Sequence, residues 1–265
     1  MKKRFTESFV AHLLALAIAW ALVHTVYVSF VRPNATAILE ERKERLARDE
    51  AFIAERSIFV TLRDYEQETC LILMLWAFSI MGFKVWNNAH ERRMLNREVL
   101  SISEGTSIFP EDSRTYMRPL QALSDEDRER LLPRTLLSAL RRFESTKDVQ
   151  NVAESVKAAC ESENDRLDSE LSVIRYIAWA IPSIGFIGTV RGIGEALSQA
   201  YLAVQGDIAG VTESLGIAFN STFVALVISI IVMLCVHQLQ RVQEQLVIDS
   251  QTWCDENLIR HMQVR

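Results

Sequence analysis

Four stretches of the chain are apolar over a length that suits a membrane-spanning helix. They are Phe9 to Val31, Cys70 to Trp86, 174–198 and 214–237. Charged residues are absent from the first stretch and from the central part of the fourth, Ile217 to Val236. A helix needs about 20 apolar residues to cross the hydrocarbon of a bilayer. The pattern therefore predicts a polytopic membrane protein with four transmembrane helices.

The first apolar stretch follows a basic start, Met1 to Arg4, as in a signal peptide. Its apolar run is longer than the roughly 7–15 residues of a signal-peptide core, and no small-residue cleavage site follows it. We therefore interpret residues 1–31 as an N-terminus and a retained first transmembrane helix.

The segments between the apolar stretches are also predicted to be helical, because no sustained alternation of apolar and polar residues occurs in them. Residues 32–69 have a helix-forming composition, and we interpret them as a helical loop that faces outward in the orientation derived below. Residues 87–172 are expected to form a helical domain, with a new helix after the capping-box pattern Ser124 to Asp127. Because no glycine or proline occurs between Thr146 and Pro182, one long helix should enter the third span. A further helix is expected over 238–265.

The distribution of lysine and arginine predicts the orientation of these helices. Basic residues precede the first span and cluster from Lys84 to Arg97, after the second. The connection 192–216 between the third and fourth spans contains neither lysine nor arginine. Cytoplasmic segments carry an excess of these residues. We therefore expect both termini and residues 87–172 to be cytoplasmic, although the outward loop 32–69 carries seven basic residues.

Composition favours no catalytic or nucleic-acid-binding function. The chain has 265 residues and a net charge of -5, which does not suit a nucleic-acid partner. Its five histidines are dispersed and form no metal or acid–base constellation. Its four cysteines lack the spacing of a metal site or a pairing scheme, so we expect free thiols. We therefore expect no enzymatic activity, no metal site and no cofactor.

The stretch IPSIGFIGTVRGIGEAL, Ile181 to Leu197, concentrates poor helix formers inside an apolar helix. Each helix-interior glycine costs about 1 kcal/mol relative to alanine, so packing must favour these residues. Gly185, Gly188, Thr189 and Gly192 share one helix face. Small residues let helix backbones approach closely in a bilayer, where burying apolar surface gains little. Helix packing, and with it oligomerisation, is expected to depend on this face.

A matching stripe of small residues lies in the fourth apolar stretch. Its members recur at helical spacing; they are Ala218, Thr222, Ala225 and Ser229. The two faces are expected to pack against each other or around something narrow. Asn220, Ser221 and Thr222 also place polar groups in the first third of this span. Polar groups inside membranes usually face a bundle interior or an aqueous path.

Pro182 lies inside the third apolar stretch and has no N–H group. The carbonyl of Ala178, four residues earlier, therefore loses its helical partner. Inside a bilayer such a carbonyl must be satisfied by a neighbouring group or by water. We expect one of these to supply the missing donor.

Together these features resemble the MotA/TolQ/ExbB proton channel family, with residues 150–240 as its channel domain. The first family signature has the form A-x-x-x-P-x-x-G-x-x-G-T-V-x-G-I. It is matched by Ala178, Pro182, Gly185, Gly188, Thr189, Val190, Gly192 and Ile193. The second signature is matched more loosely by Ala218, Phe219, Ser221, Thr222 and Ala225. Four spans are similar to MotA, whereas the GTV motif is closer to ExbB and TolQ.

The resemblance implies an all-α ring oligomer, a homopentamer with the third and fourth helices in its inner wall. It also implies a partner of the ExbD/TolR/MotB kind, whose single span carries a membrane aspartate. The pore or ion pathway would then be lined by Thr189, Thr222, Asn220 and Ser221. The helices would pack through Pro182, Gly185, Gly188, Gly192, Ala218, Ala225 and Ser229. The chain would be the pore-forming stator subunit of an ion-driven motor in the bacterial inner membrane.

The partner, rather than this chain, would supply the titrating carboxylate. Neither signature span has an acidic residue at mid-membrane depth, and Glu195 and Glu213 lie toward the outer ends. Ile217 occupies a position where many relatives have an acid. A threonine hydroxyl cannot titrate, but it can bond a protonated aspartate or ligate a sodium ion. The sequence leaves open whether the conducted ion is a proton or sodium. It also leaves open which process is powered: uptake, envelope maintenance, motility or defence.

Two further alternatives are left open by the sequence. Arg191 replaces the aromatic residue that is often found in the GTV-x-G motif, and it points away from the Thr189 face. Its side chain would reach the outer headgroups or contact Glu195, one turn on. For the whole chain, the alternative function is a non-conducting oligomeric membrane scaffold that uses the same small-residue faces.

Overall fold

The computed structural model of the protein describes residues 2–47, 57–97, 99–100, 102, 105–206 and 208–264. These residues are largely helical and include no strand beyond an isolated bridge between Ile108 and Met262. The predicted all-α class is confirmed. The helices are α1 (Lys2–Val26), α2 (Arg32–Ala47), α3 (Ile58–Thr61), α4 (Tyr65–Leu95), α5 (Ser113–Gln121), α6 (Asp125–Arg128), α7 (Leu131–Thr146), α8 (Val149–Ser198), α9 (Ala200–Val204) and α10 (Ala209–Asn257).

Four helical runs are long and apolar enough to cross a membrane. They are Val10–Arg42, Tyr65–Leu95, Val149–Ser198 and Ala209–His261. Their 18-residue windows have mean hydropathies between 1.5 and 2.4. Large apolar side chains such as Trp179, Phe186 and Phe219 are exposed on the surface of these helices. A surface of this kind suits lipid or a neighbouring subunit rather than water, and the chain is a multi-pass membrane protein.

Two compact units make up the chain. The first comprises residues 1–81 and 173–236, and the second comprises 82–172 and 237–265. The first unit contains α1 together with the apolar parts of α8 and α10 and most of the apolar part of α4.

The first membrane helix continues beyond the end predicted at residue 31. A π turn over Tyr27–Val31 joins α1 directly to α2, and the Arg32 N–H donates to the Tyr27 carbonyl there. Pro33 explains the irregularity, because a proline cannot donate to the carbonyl four residues before it. A single π turn absorbs this interruption without ending the helix.

The second unit is built around an apolar cluster. Its fully buried members include Leu120, Leu132, Leu136, Leu140, Phe143, Val152 and Leu258. The predicted N-cap of α6 is confirmed, because the Ser124 Oγ accepts a hydrogen bond from the Asp127 N–H at 3.1 Å. The C-terminal end of this unit contacts the segment before α5, where the Ile108 N–H donates to the His261 carbonyl at 2.7 Å.

The two longest helices each run through both units. The prediction of one uninterrupted helix before Pro182 is confirmed by α8, which begins where the Asp148 carboxylate accepts the Gln150 N–H at 2.9 Å. The predicted C-terminal helix is the end of α10 rather than a separate element. It ends at Asn257, before a short 3-10 turn over Ile259–His261. All four cysteines are free thiols, as expected.

Candidate ion-pathway site

The apolar parts of α8 and α10 contact each other along the two small-residue faces. A Cβ atom placed on Gly188 would lie 2.6 Å from the Ser221 Cβ, and one on Gly192 would lie 2.8 Å from the Ala218 Cβ. A Cβ on Gly185 would overlap the Cβ of Ala225. Atoms do not approach so closely, so only glycine allows the two helices this separation. The contact is made within one chain.

Thr189 and Thr222 meet at the centre of this contact. Their hydroxyl groups are hydrogen-bonded to each other. The Thr189 hydroxyl also lies 2.9 Å from the Ala218 carbonyl, and the Thr222 hydroxyl lies 3.2 Å from the Gly185 carbonyl. Both side chains are half-buried. The structure therefore brings together one residue from each family signature as a polar pair inside an apolar helix contact.

The hydrogen-bond inventory of this pair decides what it can offer to a ligand. Each threonine hydroxyl has one proton and two lone pairs. One of the two protons forms the bond between the hydroxyls, and the other is donated to a carbonyl oxygen of the opposite helix, so both protons are used inside the chain. Lone pairs on the two oxygens are left over. The pair can therefore accept a hydrogen bond from an acid or ligate a cation.

The other two residues that were predicted for the pathway behave differently. Ser221 is buried, with its hydroxyl 3.0 Å from the Ile217 carbonyl and 3.3 Å from the Gln67 amide nitrogen. Asn220 is half-buried and lies about 200° round the helix from Thr222. Ser221 thus contacts a third helix, α4, through Gln67, and the structure does not bring Asn220 to the threonine pair.

Pro182 and Ser229 are coupled through a backbone carbonyl. The Ser229 hydroxyl donates to the Ala178 carbonyl at 3.0 Å. This carbonyl is the one that Pro182 deprives of its helical donor. The donor expected from the sequence is therefore a side chain of the small-residue stripe on α10. A residue predicted for packing also satisfies a backbone group that would otherwise be left unpaired inside the membrane.

We expect Ser229→Ala to lower the free energy of unfolding by about 1 kcal/mol, because it leaves the Ala178 carbonyl without a donor. Thermal unfolding in detergent measures this change. Pro182→Ala restores the helical N–H donor, so Ser229→Ala should cost less in that background. Ser183→Ala is the matched control, because among the described residues the Ser183 hydroxyl bonds only to the Trp179 carbonyl of its own helix. Equal costs in the two backgrounds would contradict this assignment.

Arg191 forms an ion-pair cluster at the end of the contact. Its guanidinium donates to both carboxylate oxygens of Glu66, at 2.8 and 2.9 Å, and to Glu195 at 3.3 Å. Of the two alternatives that the sequence left open for Arg191, the structure shows the contact with Glu195, whereas the pairing with Glu66 of α4 had no signal in the sequence. Burial raises the pKa of the nearby Asp64 carboxyl, and Arg63 and Arg191 oppose that rise.

A second polar cluster lies at the same turn of α4. Glu68 has only 6% of its side chain exposed, and it pairs with Arg32 at 2.5 Å and with His24 at 2.7 Å. The Arg32 guanidinium also lies over the Tyr65 ring, 4.3 Å from its centre. Sequence reasoning found no carboxylate in the two signature spans and missed this one. The pairing joins positions 36 and 44 residues apart, so no local motif reveals it.

Part of the chain is similar to a known protein family. Residues 127–252 match the model described as the MotA/TolQ/ExbB proton channel family. No curated protein matches the chain. The matched segment begins in α6, contains all of α7 and α8, and ends within α10, so it includes both threonines. Over residues 127–252, which are just under half of the chain, the sequence is therefore similar to the MotA/TolQ/ExbB proton channel family.

Proposed function

We propose that the chain is the pore-forming stator subunit of a motor driven by an ion gradient. Five copies would surround the single-span helices of a partner of the ExbD/TolR/MotB kind, in the bacterial inner membrane. Both termini and the second unit would lie in the cytoplasm. Proton or sodium flow through this pore would drive mechanical work or transport.

The observation that carries this proposal is the hydrogen-bonded pair of Thr189 and Thr222. It joins the two signature stretches of α8 and α10, both of which lie within the segment matched by the family model. Two hydroxyls placed together inside an apolar helix contact supply polarity where leucine or valine would otherwise be expected. Polar groups at such depth usually serve a substrate or ion path.

The chemistry of the pair supports a defined role beside a partner carboxylate. Because one proton of the pair joins the two hydroxyls and the other is donated to a carbonyl oxygen, the pair presents lone pairs to its surroundings. A protonated aspartic acid can donate to such an oxygen, whereas an ionised aspartate cannot. The pair would therefore stabilise the protonated, ion-loaded state of the partner and release it on deprotonation. A sodium ion would use the same lone pairs as ligands.

One observation favours the alternative of a non-conducting scaffold. The glycine face and the threonine pair are satisfied by contacts inside a single chain, and tight helix packing of this kind also suits a scaffold. The two functions differ in what they require of a partner. A scaffold needs no carboxylate inside the ring, whereas a stator does.

Native mass spectrometry of the purified complex tests the assembly. The chain is expressed together with a neighbouring gene product that has one span and an aspartate just inside it. We expect a mass of five copies of the chain with two copies of the partner. A stable assembly with another copy number, or one that never retains the partner, would contradict the proposed stator.

A further inference from the structure

The first turn of α4 contacts four other helices through three consecutive side chains. Glu66 pairs with Arg191 of α8, Gln67 bonds to Ser221 of α10, and Glu68 bonds to His24 of α1 and Arg32 of α2. Side chains that follow one another on a helix point in directions about 100° apart. This turn, Glu66 to Glu68, therefore lies where the helices of the first unit converge.

Gln67 is the most deeply buried of the three, with none of its surface exposed. Its amide nitrogen donates to the Thr61 carbonyl at 3.1 Å and to the Ser221 hydroxyl at 3.3 Å. Its amide oxygen is buried and accepts no hydrogen bond from the described part of the chain. Burying a polar atom without a partner costs free energy, so an apolar side chain would serve packing alone better.

The position of Ser221 connects Gln67 to the candidate pathway. Ser221 immediately precedes Thr222 on α10, and it contacts the space left by Gly188, which immediately precedes Thr189 on α8. The side chain of Glu66 reaches the same space, with its Cγ 3.0 Å from the position of a Gly188 Cβ. Because Gly188 has no side chain, both α4 and α10 can approach α8 at this position.

We propose that Gln67 is a positioning residue for the threonine pair and acts through Ser221. Its amide fixes the rotation of α10 about its own axis, because the bond to Ser221 ties one side of that helix to α4. The Thr222 hydroxyl, one residue on, is thereby held toward Thr189. This inference rests on the proposed ion-conducting function, and it assigns to the pathway a residue outside both family signatures.

A double-mutant cycle on ion flux tests the inference. Gln67→Leu, Ser221→Ala and the double variant are reconstituted in liposomes with the single-span partner, and the flux is measured per complex. Losing this bond is expected to reduce flux about five- to tenfold in Gln67→Leu. Because Gln67 acts through Ser221, the double variant should lose no more than Gln67→Leu alone. Thr69→Val is the matched control, since within the described part of the chain that exposed hydroxyl bonds only to the Tyr65 carbonyl of its own helix.

A second variant separates positioning from general stability. Gln67→Glu keeps the length of the side chain, and its carboxyl can donate to Ser221 only when it is protonated. Its flux should therefore recover at acidic pH and fall at alkaline pH, relative to the wild type, while the amount of assembled complex stays constant. Unchanged flux in Gln67→Leu, additive losses in the cycle, or a pH profile identical to the wild type would each overturn the inference. Absence of flux in the wild-type complex would instead overturn the proposed function, and this inference with it.

Discussion

Gly188→Leu is expected to remove most of the folded protein, rather than to affect only the contact between subunits. The added side chain would enter space that the Ser221 side chain and the Glu66 stem already occupy, within one chain. Overpacking of this size costs about 3 kcal/mol, and it forces α8 and α10 apart. The close contact and the threonine hydrogen bond would be lost together.

The amount of monodisperse protein after detergent extraction measures this effect. Gly194→Leu is the control on the same helix, because a Cβ at Gly194 meets no atom of the described residues within 4 Å. We expect Gly194→Leu to be recovered at the wild-type level. Recovery of folded, dispersed Gly188→Leu monomers would instead assign this face to the interface between subunits.

The double variant Thr189→Val with Thr222→Val is expected to assemble normally and to lose ion-driven activity. Valine keeps the volume of threonine and removes only the hydroxyl group. Hydrogen bonds between membrane helices average about 0.6 kcal/mol, so the fold should survive their loss. Transport would not survive, because the oxygens that accept a proton donor or ligate a sodium ion are gone. Each single variant should keep part of the activity, because one oxygen remains.

Controls for this variant lie on the exposed face of the same helix. Val227→Ala and Ile230→Ala alter exposed apolar side chains of α10 and should leave ion flux unchanged. Native mass spectrometry establishes that every variant has the same copy number. Full flux in the double valine variant, with assembly intact, would remove the threonine pair from the ion pathway.

The signature helices could be predicted closely from the sequence, because their signals are local. Glycines at helical spacing mark a flat face, and the stripe from Ala218 to Ser229 marks its counterpart. An internal proline marks a carbonyl that needs a donor. The structure unites these signals in one contact, including the Ser229 hydroxyl at the Ala178 carbonyl. What the sequence could not decide was whether the faces meet within a chain or between chains, since either arrangement requires the same small residues.

The contribution of α4 could not be predicted for the opposite reason. Glu66, Gln67 and Glu68 form an ordinary polar helix start, where acidic residues are favourable whatever they contact. Their partners in α1, α2, α8 and α10 lie between 36 and 154 residues away in the chain. Only the folded arrangement shows that Gln67 is fully buried and that Glu68 is paired with Arg32 and His24. Asn220 is the converse case. Its polar side chain inside an apolar stretch suggested the pathway, but it lies about 200° round α10 from Thr222.

The central claim, that this chain conducts ions together with a carboxylate-bearing partner, is tested most directly by flux through a defined membrane. Liposomes that contain the chain alone, the partner alone or both are given a proton gradient and, separately, a sodium gradient. We expect ion flux in one of the two gradients, only when both proteins are present. This flux should disappear when the aspartate of the partner is replaced by asparagine. Complexes that assemble with the stated copy number and pass neither ion would contradict the claim and identify the chain as a scaffold.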